Sequence, residues 1–250
     1  FRNTRAAIKG FPARVLHRHP LPAPEQYTHA VVELDEKLHP ERPFLDDSWL
    51  DFDPRVNWLE QTLKSLRPAK VLVICASATT AVALEHHLHM RAGIRSAAFY
   101  EGLTILERDR AAAYFADDVN GAQTLVCSEI GSEGRNFQFA HHLILFDLPL
   151  NPDLLEQRIG RLDRIGQTSD VQIHVPYLAG TAQETLLDWY DRGLDLFSES
   201  CSAGYMIFET FRERLLTELD SRSDAFNALL QDTAAFTDNT RRELREGRDR

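Results

Sequence analysis

Val71-Leu-Val-Ile-Cys75 is apolar at every position. A strand with one wet face would alternate, so this run requires a sheet covered on both sides, which in practice is a parallel sheet between helices. Its surroundings agree. Asp53-Pro54 opens a helix with Val56, Leu59, Leu63 and Leu66 on one face. After Cys75 a helix is expected to about Arg91, then a short strand near 97–100. Thr104 with Glu107 predicts a capping box for a helix reaching Phe115. Further strands are predicted over 124–128, 143–147 and 171–175. Strand–helix alternation through 54–178 implies right-handed crossovers and an α/β fold with a doubly wound parallel sheet. Its ligand edge would lie at the carboxyl ends of the strands, where the loops after Cys75, Ser128 and Asp147 emerge.

The flanks read differently. Residues 1–53 are expected to be an irregular arm, a linker from a preceding domain. It is basic at first (Arg2, Arg5, Lys9, Arg14, Arg18), then proline-rich between Pro20 and Pro43, with a short helix around 25–34. Residues 179–250 read as a helical extension. Thr181 and Glu184 suggest another capping box, and Leu187, Tyr190, Leu194 and Phe197 form a stripe suited to core packing. The mixed-charge tail from 241 reads as a solvated helix or a frayed end.

Composition narrows the function class. At 250 residues and 43% hydrophobic, the chain can bury one substantial core plus an appendage. No apolar run approaches the roughly 18 residues of a membrane span, and no signal-peptide pattern is read at the start. Cys75, Cys127 and Cys201 form no CxxC pair, so reduced buried thiols of a cytosolic protein are expected. His86, His87 and His89 are followed by no spaced cysteines or carboxylates; they read as a helix surface, and no metal site is expected. A net charge of -10 argues against a simple nucleic-acid-binding module.

The densest chemistry lies between 128 and 167. A strand, a glycine-containing loop over 129–136 and a second strand lead to a helix capped by Asn151, with Pro152 in its first turn. Leu155, Ile159 and Leu162 share one face, and Arg158, Arg161 and Arg164 fan away from it at intervals of three. Two readings of these arginines stand side by side. They alternate with Glu156 and Asp163, as on a solvated, salt-bridged helix face. Their permanent charge and two-point forks also suit stabilisation of a transferring phosphoryl group. The chain has no GxxxxGK[ST] phosphate loop, no strand-ending Asp-Glu box for magnesium, and no GxGxxG after a strand.

Gln157-x-x-Gly160-Arg161-x-x-Arg164 resembles the sixth conserved motif of superfamily-two helicases and translocases. Asp163-Arg-Ile-Gly-Gln167 looks like the variant found in SNF-type remodelling ATPases, and residues 128–136 resemble their fifth motif. With Phe52-Asp-Pro-Arg-Val56, Lys70-Val-Leu-Val-Ile-Cys-Ala76, Glu107-Arg-Asp-Arg-Ala-Ala-Ala113, Phe11-Pro12 and Gln172-Ile-His-Val-Pro-Tyr177, the chain is similar to the bacterial RNA polymerase-associated branch of that family.

The resemblance implies a RecA-like helicase C-terminal lobe. ATP would bind against a first lobe that carries the phosphate loop and Mg2+, so this segment alone would be inactive. It further implies Arg161 and Arg164 as catalytic fingers, with Gln157 positioning them. Gly134 and Asn136 would sit at the nucleotide, Arg135 would join the cleft to the DNA track, and Ser128 would touch the DNA backbone. RNA polymerase and double-stranded DNA would be the partners and the bacterial cytosol the location, the activity being translocation that recycles polymerase. Arg158 has no fixed role by resemblance and is expected to tolerate replacement better than Arg161 or Arg164. The competing readings are a strand-separating helicase lobe and a non-catalytic polymerase-docking module.

Overall fold

The computed structural model of the chain describes residues 12–129 and 137–248. Its strands are β1 (Arg14–Leu21), β2 (Val71–Cys75), β3 (Ser96–Phe99), β4 (Thr124–Ser128), β5 (His142–Leu145) and β6 (Val171–Leu178). They form one sheet in the order β1-β6-β5-β2-β4-β3, with every pairing parallel.

The unbroken apolar run of β2 has a direct cause. Val71, Val73 and Cys75 face α3 (Pro54–Ser65) and α4 (Ala78–Met90), where they meet Val56, Leu59, Leu63, Ala81, Leu84 and Leu88. Leu72 and Ile74 face the other way, into a second core with Phe115 of α5 (Ile105–Ala116) and with Leu155 and Ile159 of α6 (Pro152–Ile159). Both faces are therefore dry, as a parallel sheet demands. The caps form where the sequence expects them. Asp53 accepts from the Arg55 amide, Thr104 and Glu107 complete a capping box, and Asn151 accepts from the Asp153 amide.

The helical extension comprises α7 (Ala182–Asp188), a π-helical turn (Trp189–Gly193), α8 (Gly204–Asp220) and α9 (Phe226–Arg248). Leu187, Tyr190, Leu194 and Phe197 are all buried in the second core, as the stripe predicts. Trp189 donates from Nε1 to Thr233 Oγ1 at 3.1 Å, and the Tyr190 hydroxyl donates to the Pro149 carbonyl at 2.6 Å. Thr181 caps α7 through the Gln183 amide, but Glu184 reaches the Gly180 amide at 2.7 Å rather than the cap's own.

Several expectations need correction. The arm is not irregular where it is described: Arg14–Leu21 is the edge strand β1, in register with the whole of β6. The short helix divides into α1 (Glu25–Ala30) and α2 (Leu34–Leu38). The arm is bonded to the lobe by Glu41, which accepts from the buried Arg55 at 2.9 Å, while the Tyr27 hydroxyl donates at 2.5 Å to Asp53, the residue that caps α3. His87 is buried rather than on a surface, with Nε2 2.6 Å from Glu60 Oε1.

A second group of histidines spans three strands. His17 of β1 stacks on its register partner His174 of β6 with centroids 4.7 Å apart. His174 bridges His19, 3.3 Å from its Nδ1, and His142, 3.2 Å from its Nε2.

Candidate functional site

Asp147 follows β5 and Glu129 follows β4, so each carboxylate stands at a carboxyl end of the sheet. Arg158 of α6 joins them. Its Nη1 donates to the Asp147 carbonyl at 2.7 Å and to Oδ1 at 3.0 Å, while Nε donates to both Glu129 oxygens at 3.0 Å and Nη2 to Oε2. Asp147 Oδ2 accepts from the Ala76 amide at 2.9 Å, which adds the end of β2. Burial opposes charge on both groups. Even so, Arg158 and His39 hold the Asp147 carboxyl well below the usual range, and Asp147 and Glu129 raise the Arg158 guanidinium.

The arginines therefore do not fan out together. The α-helix ends at Ile159, and Arg158 is 1% exposed, pointing into the lobe. Its burial gives Arg158 a structural load that the resemblance does not indicate, because removing one partner of a buried pair strands the others. Glu156 and Asp163 bond across to Arg14 of β1, at 3.0 and 2.7 Å.

Arg161 and Arg164 lie on the turns past the helix. Arg161 is 7% exposed and close enough to β4 to favour the Cys127 thiolate, although burial still pushes that thiol up. Its carbonyl accepts from the Phe137 amide at 3.3 Å. Arg164 and Gln157 are exposed. Ser128 is buried at the end of β4, where its hydroxyl donates to Glu101 at 2.5 Å. Gly134, Arg135 and Asn136 lie outside the described residues.

The turn that carries Arg161 and Arg164 is locked by a residue that the motif names but whose task it does not reveal. Gln167 donates from Nε2 to the carbonyls of Gln138, Ala140 and Leu162 at 3.0–3.1 Å, and its Oε1 accepts from the Thr168 and Ser169 amides. Gly166 precedes it at φ +99°, a conformation that favours glycine.

Sequence reasoning also missed Arg55. It is wholly buried among Asp53, Glu41 and the Phe146 ring, whose centroid is 4.5 Å away. Among the described residues, His39, Glu41 and Asp147 hold ligand-type atoms within 4.8 Å of one another. Arg55 and Arg158 already neutralise those carboxylates, so the group is better suited to holding guanidinium groups than a metal ion.

Comparison with known proteins agrees with this geometry. Residues 54–166 match the helicase conserved C-terminal domain, and residues 170–250 match the RNA polymerase recycling family C-terminal region. The C-terminal part of the Fun30 ATPase domain shares the fold, with a TM-score of 0.50 and 21% identity over 60% of this chain and 48% of that one. Fold and sequence thus define a helicase-type C-terminal lobe with a helical extension.

More narrowly, the chain belongs to the RapA family. It is 54% identical over 258 residues to the RNA polymerase-associated protein RapA of Pseudomonas putida (strain KT2440), matching 100% of this chain and 27% of that protein. It is 55% identical over 259 residues to the RapA of Pseudomonas aeruginosa (strain LESB58), again across 100% of this chain and 27% of the relative. The chain therefore spans about a quarter of the length of the curated relatives it matches.

Proposed function

We propose that this chain is the second RecA-like lobe of an ATP-dependent double-stranded DNA translocase that associates with RNA polymerase and promotes its recycling. In this reading the lobe occupies residues 54–178, fed by the arm at 1–53 and followed by the extension at 179–250. Arg161 and Arg164 neutralise charge on the transferring phosphoryl group, and Gln157 helps to position them. Gly134 and Asn136 serve the nucleotide, while Arg135 and Ser128 couple it to DNA. ATP, with its Mg2+, is held mainly by a first lobe elsewhere in the protein, so this segment alone hydrolyses nothing. A cytoplasmic location follows from the partner.

The observation that carries the reading is the turn after α6. There Arg161 is buried and Arg164 is exposed, on a segment pinned by Gln167. A guanidinium held on a rigid turn costs little reorganisation when charge develops opposite it.

The test is steady-state ATP hydrolysis by the full-length protein with DNA present. Arginine fingers are worth roughly 10³–10⁵ in rate where they have been measured, so Arg161→Ala or Arg164→Ala should abolish most turnover with folding intact. Arg161→Lys should rescue poorly, since one ammonium cannot reproduce a two-point fork. Near-normal turnover in both alanine variants would reject the assignment and favour a non-catalytic docking module.

A further inference from the structure

The contacts of Arg158 are spread over separate chain segments in a way that folding of one helix does not require. One guanidinium binds Glu129 just after β4, Asp147 two residues past β5 and, through Asp147, the amide after β2. These are the three strand ends where a ligand would approach a sheet of this kind. Three residues further on stands Arg161, whose amide donates to the Arg158 carbonyl at 3.2 Å. The backbone that positions Arg161 is thus bonded directly to the residue that ties the strand ends together.

We infer that Glu129, Arg158 and Asp147 form a positioning clamp, which sets the end of β4 and the turn bearing Arg161 at the separation that phosphoryl transfer needs. The clamp rests on the reading given under Proposed function. It touches no reacting atom; it acts through Arg161. Its two jaws differ in burial. The Asp147 side chain is 0% exposed, whereas that of Glu129 is 19% exposed at the rim. Asp147 therefore holds the guanidinium in the lobe, and Glu129 is the jaw that can be altered without emptying the core.

Glu129→Gln keeps the shape and one acceptor oxygen but removes the charge and turns the other oxygen into an NH2 donor, so the two-point contact with the guanidinium is lost. A misplacement of about 1 Å in a catalytic constellation can cost on the order of 10²-fold. In the full-length protein, Glu129→Gln should lower kcat for DNA-stimulated ATP hydrolysis by about 10-fold while KM for ATP changes by less than about 3-fold. Arg158→Lys should lower kcat further, because an ammonium cannot span both carboxylates.

Thermal melting of the same proteins is measured alongside, with Arg161→Ala as the reference. A drop in kcat for Glu129→Gln, with an unchanged melting midpoint and a slow Arg161→Ala, supports the clamp. Normal kcat for Glu129→Gln beside a slow Arg161→Ala overturns the clamp and leaves the proposed function standing. A loss of kcat that only follows a fall in melting midpoint, or a rise in KM alone, also overturns it. Normal turnover in Arg161→Ala removes the proposed function and the clamp with it.

Discussion

A guanidinium keeps its charge when water is taken away, so each buried arginine must bring its counter-charges with it. Arg55 and Arg158 do so with Asp53 and Glu41, and with Asp147 and Glu129. Replacing Arg55 by Met leaves two buried carboxylates facing each other, and replacing Arg158 leaves Asp147 buried with only the rim carboxylate Glu129 beside it. Breaking a buried pair typically costs about 3–5 kcal/mol, so Arg158→Met should shift the urea midpoint of this chain by that equivalent, and Arg55→Met likewise. A change under about 1 kcal/mol would show that water reaches the pair.

The burial of Arg158 was legible in the numbering. It lies three residues after Leu155 and four before Leu162, on the stripe those residues define. Its charge directed the reading outward. His87, three after the buried Leu84, was misread for the same reason. Arg14 could not be found this way, because its partners Glu156 and Asp163 come more than a hundred residues later.

At the level of elements, the sequence showed strands where both faces are dry and failed where one edge is wet. β2 and β4 have the bounds their sequence predicts, whereas β5, expected over 143–147, runs His142–Leu145 and ends before Phe146 and Asp147. β1 reads Arg-Val-Leu-His-Arg-His-Pro-Leu, half-buried along most of its length and carrying a proline, which an edge strand tolerates. Its strand character comes from β6 rather than from its own composition. Removing residues 1–22 should therefore do more than shorten an arm. It would bare the β6 backbone, whose Val171 amide now donates to the Ala13 carbonyl and whose strand pairs with β1 along its full length. An uncovered, largely apolar edge invites pairing between molecules. The truncated protein is expected to melt at a lower temperature and to associate with rising concentration, as followed by light scattering. A monomer of unchanged melting temperature would mean that the β1–β6 ladder contributes nothing to stability.

For the molecule as a whole, the histidine group should appear as a dependence of stability on pH. Burial, followed by the neighbouring imidazoles His17 and His19, holds His174 down at about 3; burial and His141 hold His142 at about 4, and His19 is lowered as well. The unfolded chain takes up protons near the ordinary histidine value of about 6.5 while the folded one does not. Folding stability is therefore complete above about pH 6.5 and falls as pH drops below it, by up to about 1.4 kcal/mol per pH unit for each fully buried histidine. His142 is half-exposed, and its share is correspondingly smaller. Unfolding measured between pH 6.5 and 5 should show this slope, and His174→Gln should flatten it. An identical slope in the variant would assign the acid sensitivity to other groups.

The pairing of β1 with β6 also bears on how the chain comes into being. β1 is synthesised about 150 residues before the strand that pairs with it, with Arg14 opposite Val171. Ribosomes add about 5–20 residues per second, so β1 waits on the order of 10–30 s for the strand that will hold it. During that interval its β6 partner does not yet exist, so the local helices and the β2–β4 pairing have time to form without it. Parallel partners this far apart in the chain are slow to meet. The edge strand is then the last piece of this sheet to dock, and the rate at which the finished sheet appears is set by the time the chain takes to bring β1 back to β6.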